Sequence, residues 1–138
     1  GVDKFIDALD IATKNKDIHK VVNLTLKQSD WLSDINEGNF DVVISNPPYI
    51  NSTDKHLKNL VHEPMNALIS ADNGLSDFKK ISMQAYQKLK TGGILMFEHG
   101  FNQADEVKKI MELSNFHEIE NFKDYQLHPR ITIGKKLA

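Results

Sequence analysis

Residues 46–49 read Asn-Pro-Pro-Tyr and follow directly on the apolar run Phe40-Asp41-Val42-Val43-Ile44-Ser45. Proline has no N–H to give a sheet ladder, so a strand over 39–46 must stop there. The stop leaves a side-chain amide on Asn46, an exposed main-chain carbonyl on Pro47, a second rigid residue in Pro48 and a ring on Tyr49. Two acceptors beside a flat surface suit a planar group that carries an NH2, either a carboxamide or an exocyclic amine. The lone pair of such a nitrogen is delocalised. Acceptors aimed at its hydrogens favour the tetrahedral geometry and the positive charge that develop during alkyl transfer, which is electrostatic preorganisation rather than general-base chemistry. A Pro-Pro pair in isolation is only a strand-ending turn. Its place at the carboxyl end of a buried strand gives it meaning, because open parallel sheets bind their ligands outside those ends.

The elements that must hold this tip follow from periodicity. Phe5, Leu9 and Ala12, with Ile6 beside them, share one helical face over 5–15. The alternating, β-branched stretch 21–27 predicts a strand. The continuous apolar run over 39–46 predicts a central parallel strand buried on both faces. The irregular segment from Ser52 to Leu68 reads as a long functional loop. Leu75, Phe78, Ile81, Ala85 and Leu89 predict a helix that stops at Gly92-Gly93. A strand over 94–99 follows, then a helix with Asn102 as N-cap and acidic residues in its first turn. Two final strands, 117–125 and 130–136, join through a turn near Leu127–Pro129. This alternation indicates an α/β domain with a mostly parallel sheet and a C-terminal antiparallel hairpin.

Composition excludes several classes. A chain of 138 residues with 40% hydrophobic and 26% charged residues fits one ordinary globular domain. The net charge of −2 argues against a dedicated nucleic-acid binder. With no cysteine there is neither a disulfide nor a thiolate metal site, which fits a reducing, cytoplasmic setting. No apolar run approaches the roughly 20 residues of a membrane span. The six histidines, His19, His56, His62, His99, His117 and His128, show no metal-ligand spacing. His99 reads as a polar strand-end residue rather than a base, and Glu63-Pro64 as a loop turn that could line a substrate path.

The stretch "FDVVISNPPYI" resembles the signature of class I S-adenosylmethionine methyltransferases that modify planar nitrogens. With "VHEPMNALISADNGLSDF", "GGILMFEHGFNQADEV" and "FKDYQLHPRITIGK", the chain resembles the HemK/PrmC protein-(glutamine-N5) methyltransferases over essentially all its length. The motif alone would also fit adenine-N6 methyltransferases; the long-range set is more specific. The resemblance implies a Rossmann-like class I methyltransferase fold and methylation of the glutamine in the Gly-Gly-Gln motif of peptide chain release factors, with S-adenosylmethionine as cofactor. Asn46 and the Pro47 carbonyl would receive the glutamine amide, Tyr49 would pack beside it, and Pro48 would hold the turn. Asp3 would bind the cofactor's ribose hydroxyls, Asp30 and Trp31 would lie along its adenine, and Asn46 would also face the cofactor. Taken alone, Trp31 reads as a half-buried loop aromatic and Asp3 as a solvated strand end. No metal, membrane or direct nucleic-acid partner is expected.

One departure stands out. The family's glycine-rich cofactor loop has no counterpart among the 7 glycines. The chain opens without Met in what reads as a strand end. Residues 1–138 are therefore expected to be a partial catalytic domain lacking the first strand, the first helix and the N-terminal helical domain. Such a piece should bind cofactor poorly, be inactive alone, and leave backbone groups beside the missing strand in need of other partners. The alternatives are an adenine-N6 nucleic-acid methyltransferase and a non-catalytic fold fragment or binding module.

Overall fold

The computed structural model describes residues 1–48, 50–51, 69–70 and 74–138. Tyr49, and with it the Ser52–Leu68 loop carrying His56, His62, Glu63 and Pro64, lies outside the described residues. The chain divides into two compact units, residues 1–37 and 38–138.

The first unit is a small βαβ arrangement. Strand β1 (Val2–Asp3) leads into helix α1 (Ile6–Ile18), and β2 (Lys27–Gln28) returns parallel to β1. The Asp3 carboxylate accepts the Phe5 N–H at 2.8 Å and turns the chain into the helix. In α1 the half-buried face carries Ala8, Leu9 and Ala12, while Phe5 and Ile6 are exposed. The strand expected over 21–27 is confined to Lys27–Gln28, because its partner β1 offers only two residues to pair with. Val22, inside the expected strand, is almost wholly exposed.

The second unit holds a four-stranded sheet in the order β3-β6-β8-β7, built from β3 (Phe40–Ser45), β6 (Leu89–Glu98), β7 (Phe116–Lys123) and β8 (Pro129–Lys136). β3 and β6 run parallel, and the hairpin β7–β8 adds the antiparallel part, β8 lying against β6. Two short strands, β4 (Ile50–Asn51) and β5 (Ile69–Ser70), also pair in parallel.

Helices α2 (Ser76–Lys88) and α3 (Ala104–Leu113) cover one face of the four-stranded sheet. The core forms there. Phe78, Ile81 and Ala85 of α2 and Val107, Ile110 and Met111 of α3 are buried with Leu95 and Phe97 of β6. Phe78 meets Phe97 edge to face at 5.0 Å between centroids, and Tyr86 meets Phe116 likewise at 5.5 Å. The other face carries Val42 and Ile44, which are exposed, and half-buried Ile94, Met96, Ile131 and Ile133. β3 thus has no fully buried residue: Val43 and Ser45 are half-buried on the covered face and Val42 and Ile44 exposed on the other, where its apolar run predicts burial on both.

Two terminators differ from expectation. Helix α2 ends at Lys88, where Leu89 already has extended backbone (φ −75°, ψ 144°). Gly92 and Gly93 lie beyond it, in a bulge where β6 inserts extra residues between the Leu89 and Ile94 pairings with β3. Gly92 has φ +80°, and a Cβ on Gly93 would come within 3.0 Å of the Phe40 carbonyl. At α3 the cap is Gln103, not Asn102. The Gln103 Oε1 accepts the Gly100 N–H at 3.0 Å, while the Gly100 carbonyl accepts the Gln103 N–H at 2.9 Å.

Candidate active site

Asn46 follows the last residue of β3, and the pairing of Ser45 with Phe97 puts it at the carboxyl edge of the parallel pair β3–β6. Its side chain is exposed, Pro47 is fully buried and Pro48 half-buried. Burying the first proline while leaving the amide in solvent anchors the backbone and presents the polar group. The exposed Asn46 amide agrees with the sequence reading; the exposed Pro47 carbonyl expected beside it does not, because Pro47 packs inward and is fully buried.

In the first unit, Asp3 is the last residue of β1 and pairs with Gln28 at the end of β2. Asp30 and Trp31 follow that end, so Asp3, Asp30 and Trp31 share one edge of the β1–β2 pair. The turn carrying Trp31 is bonded internally. Ser29 Oγ accepts the Asp34 N–H at 3.1 Å, Ser33 Oγ donates to Asp34 Oδ2 at 2.9 Å, and the Asp30 carbonyl accepts the Ser33 N–H at 3.2 Å. The Ser33 hydroxyl and then the Asp30 backbone N–H hold the Asp34 carboxyl below its ordinary range. Trp31 itself sits at φ +57°, a left-handed conformation that costs a bulky residue energy and that the bonded turn imposes.

The donor set matches the chemistry of S-adenosylmethionine. A carboxylate at a strand end suits a vicinal diol, and one Asp3 oxygen bonded to Phe5 can still accept a further hydrogen. A half-buried indole suits a purine face.

Sequence reasoning missed a buried network behind the β6 tip. His99 is fully buried, with Nδ1 2.9 Å from the Gly100 carbonyl and Nε2 2.8 Å from Thr132 Oγ1. The Thr132 hydroxyl in turn bonds the Asn121 side chain. The one Thr132 hydroxyl hydrogen goes to Asn121 Oδ1, so both ring nitrogens face oxygen lone pairs, and the neutral ring donates its one N–H to Gly100 or to Thr132. Burial holds the imidazole below its ordinary 6.5; the bond to the Gly100 carbonyl opposes this, and the Arg130 charge adds to it. The Glu98-His99-Gly100 order is the only sequence sign of it, since Thr132 and Asn121 are far along the chain.

A pH dependence follows. The unfolded chain takes up a proton near pH 6.5, whereas folded His99 does so only at lower pH. Its contribution to stability is present above that value and is lost as pH falls from 6.5 toward the folded pKa. The urea midpoint is expected to drop between pH 7.5 and pH 5.5, above the range in which carboxylates titrate. His99→Gln should start lower and show a shallower drop. Equal wild-type midpoints at the two pH values would contradict a buried neutral ring.

Comparison with known proteins fits this geometry. A family model described as Eco57I restriction-modification methylase matches residues 2–128. The chain belongs to that methylase family. Its similarity to release factor glutamine methyltransferases is equally extensive. The protein so named in Escherichia coli (strain K12) is 36% identical over 137 residues, 98% of this chain and 50% of that protein. The one in Buchnera aphidicola subsp. Acyrthosiphon pisum is 41% identical over 138 residues, again with 50% of its length matched. The chain spans about half the length of these curated relatives. Among solved structures, a methyltransferase from Pyrococcus furiosus superposes with TM-score 0.74 at 17% identity, covering 99% of this chain and 61% of that one. An S-adenosylmethionine-dependent O-methyltransferase from Thermotoga maritima gives 0.70 at 15% identity, covering 100% and 49%. The fold of this methylase-family chain is therefore that of the S-adenosylmethionine-dependent methyltransferases, as the element order implies.

Proposed function

We propose that the protein carrying this chain methylates the side-chain amide nitrogen of the glutamine in the Gly-Gly-Gln motif of peptide chain release factors, a cytoplasmic role in translation termination. Residues 1–138 are read as catalytic-domain sequence. The observation that carries the proposal is the exposed Asn46 amide on a backbone pinned by buried Pro47, at the carboxyl edge of a parallel strand. Relatives named for release factor glutamine methylation, aligned across 98% of the chain, support it.

In this reading S-adenosylmethionine supplies the methyl group when bound, held by Asp3 at its ribose and by Asp30 and Trp31 at its adenine. The Asn46 Oδ1 accepts an amide hydrogen of the glutamine and turns its nitrogen lone pair toward the methyl donor; the Pro47 carbonyl, assigned the second hydrogen by the resemblance, sits on a buried residue and must be uncovered to accept it. Pro48 stiffens the turn and Asn46 also faces the cofactor; Tyr49, outside the described residues, keeps the role beside the amide that the resemblance implies. No proton is removed before the transfer, so the site needs acceptors and not a base. His99, fully buried, takes no part in the proton bookkeeping.

A second reading, methylation of an adenine amine in nucleic acid, is kept open by a matching family described as a restriction-modification methylase. An adenine amine would present the same NH2 to Asn46. Mass spectrometry of a release factor incubated with S-adenosylmethionine and the protein separates the two. A mass gain of one methyl on the Gly-Gly-Gln glutamine is expected; methyl found only on DNA adenine would replace this reading with the second.

A further inference from the structure

The hairpin tip between β7 and β8 is more tightly built than a solvent turn requires. Asp124 Oδ1 accepts the N–H groups of Gln126 (2.8 Å) and His128 (3.0 Å), and Oδ2 accepts Arg130 Nε at 3.2 Å. The Asp124 N–H donates to the His128 carbonyl, and the Leu127 N–H to the Asp124 carbonyl. Burial alone would raise the Asp124 pKa; the bonds from His128, Arg130 and Gln126 outweigh it and hold the carboxyl below its usual range. Within this cage Leu127 is held at φ +65°, where a glycine or asparagine would sit with less strain.

What the cage presents is apolar. Tyr125 is completely exposed, Leu127 is 74% exposed, and Phe101, on the turn after β6, is 55% exposed. Phe101 is tied to the tip by the His128 ring at 5.4 Å and the Arg130 guanidinium at 5.8 Å. Aromatics offered to solvent from a fixed backbone are common anchors of protein interfaces. A cleft of about 530 Å³, lined by Glu98, Lys123, Asp124, Arg130 and Ile131, opens at the base of the tip.

Register fixes where this surface lies. Ser45 pairs with Phe97, Glu98 with Ile131, and Ile131 with Phe122. Asn46 is therefore level with Glu98, Ile131 and Phe122 on one sheet edge, with β8 about 10 Å and β7 about 15 Å away at ordinary strand spacing. An extended peptide whose glutamine sat at Asn46 would reach the tip roughly three to five residues later.

From these observations we infer that Tyr125, Leu127 and Phe101, with the cleft beneath them, form a docking surface for the polypeptide flanking the methyl-accepting glutamine. The inference rests on the glutamine reading above and extends it to substrate selection. The cleft carries both signs of charge, Glu98 and Asp124 against Lys123 and Arg130, which matches a peptide's mixed polar groups. A phosphate backbone would meet two carboxylates there.

The test compares Tyr125→Ala with the unsubstituted protein, using an intact release factor and a pentapeptide centred on the glutamine. Two residues on either side span only about 7 Å, short of the tip. Tyr125→Ala is expected to raise KM for the release factor about tenfold, with kcat held, and to move KM for the pentapeptide less than twofold. Tyr125→Phe, which keeps the ring, should restore most of the release-factor KM. A release-factor KM unchanged in Tyr125→Ala, or equal rises for both substrates, would overturn the docking surface while leaving the glutamine reading intact. Failure of the unsubstituted protein to methylate glutamine in either substrate would overturn both.

Discussion

Asn46→Ala is expected to lower kcat for glutamine methylation by about 10²–10³-fold, the usual cost of removing one preorganised partner of a developing charge. Cofactor affinity should weaken by only a few fold, because the substitution leaves the proposed cofactor residues Asp3, Asp30 and Trp31 untouched. The division follows from when the contact matters. The Asn46 oxygen bonds the amide hydrogens weakly while the nitrogen is planar. It bonds them strongly once the lone pair is localised and charge builds up, so the loss falls on the transition state more than on binding. The exposed position of Asn46, on a backbone anchored by buried Pro47, means that truncation leaves no cavity and should not unfold the chain. Single-turnover kinetics together with calorimetric titration of S-adenosylmethionine would check it. Near-normal turnover in Asn46→Ala would remove the residue from the reaction.

How legible the site was depended on how local its determinants are. Asn46, Pro47 and Pro48 are placed by the strand just before them, and an apolar run ended by two prolines can be read without knowing any distant partner. The hairpin of Phe116–Lys123 and Pro129–Lys136 was legible for the same reason. The failures all involve partners elsewhere. Residues 21–27 have the composition of a strand, but a ladder extends only as far as its partner, and Val2–Asp3 supplies two rungs. Gly92-Gly93 looked like a helix stop, although the close approach of the Phe40 carbonyl to Gly93 is what requires glycine there. Asn102 is the better cap by propensity, yet the Gly100 N–H selects Gln103. The His99 network rests on Thr132, a residue 33 positions away, and no window of sequence contains both. Asp3 and Trp31 are intermediate: each alone is unremarkable, and only the β1–β2 pairing brings them to one edge.

Phe97→Ala is expected to cost about 3–5 kcal/mol, the range for deleting a buried aromatic ring and leaving its cavity. Phe97 is completely buried at the centre of the covered sheet face, opposite Ser45 on one side and Thr132 on the other. Its ring meets Phe78 of α2 at 5.0 Å and an interplanar angle of 84°, so its loss also removes an edge-to-face pair. Against a typical domain stability of roughly 5–15 kcal/mol, this is about a fifth or more of the total. Phe97→Leu, which keeps most of the volume, should cost clearly less. The Phe78→Ala change should approach the same magnitude. The double variant should fall short of the sum by about 0.5–1.5 kcal/mol, because both truncations open one cavity and break one contact. Urea unfolding of the four proteins measures the cycle. The position of Phe97 makes the result functional as well as structural: it pairs with the residue immediately before Asn46, so the packing of α2 on β6 is what holds the β3 tip in place. Strict additivity of the two truncations, or a cost for Phe97→Ala below about 1 kcal/mol, would show that this aromatic pair is not the centre of the core.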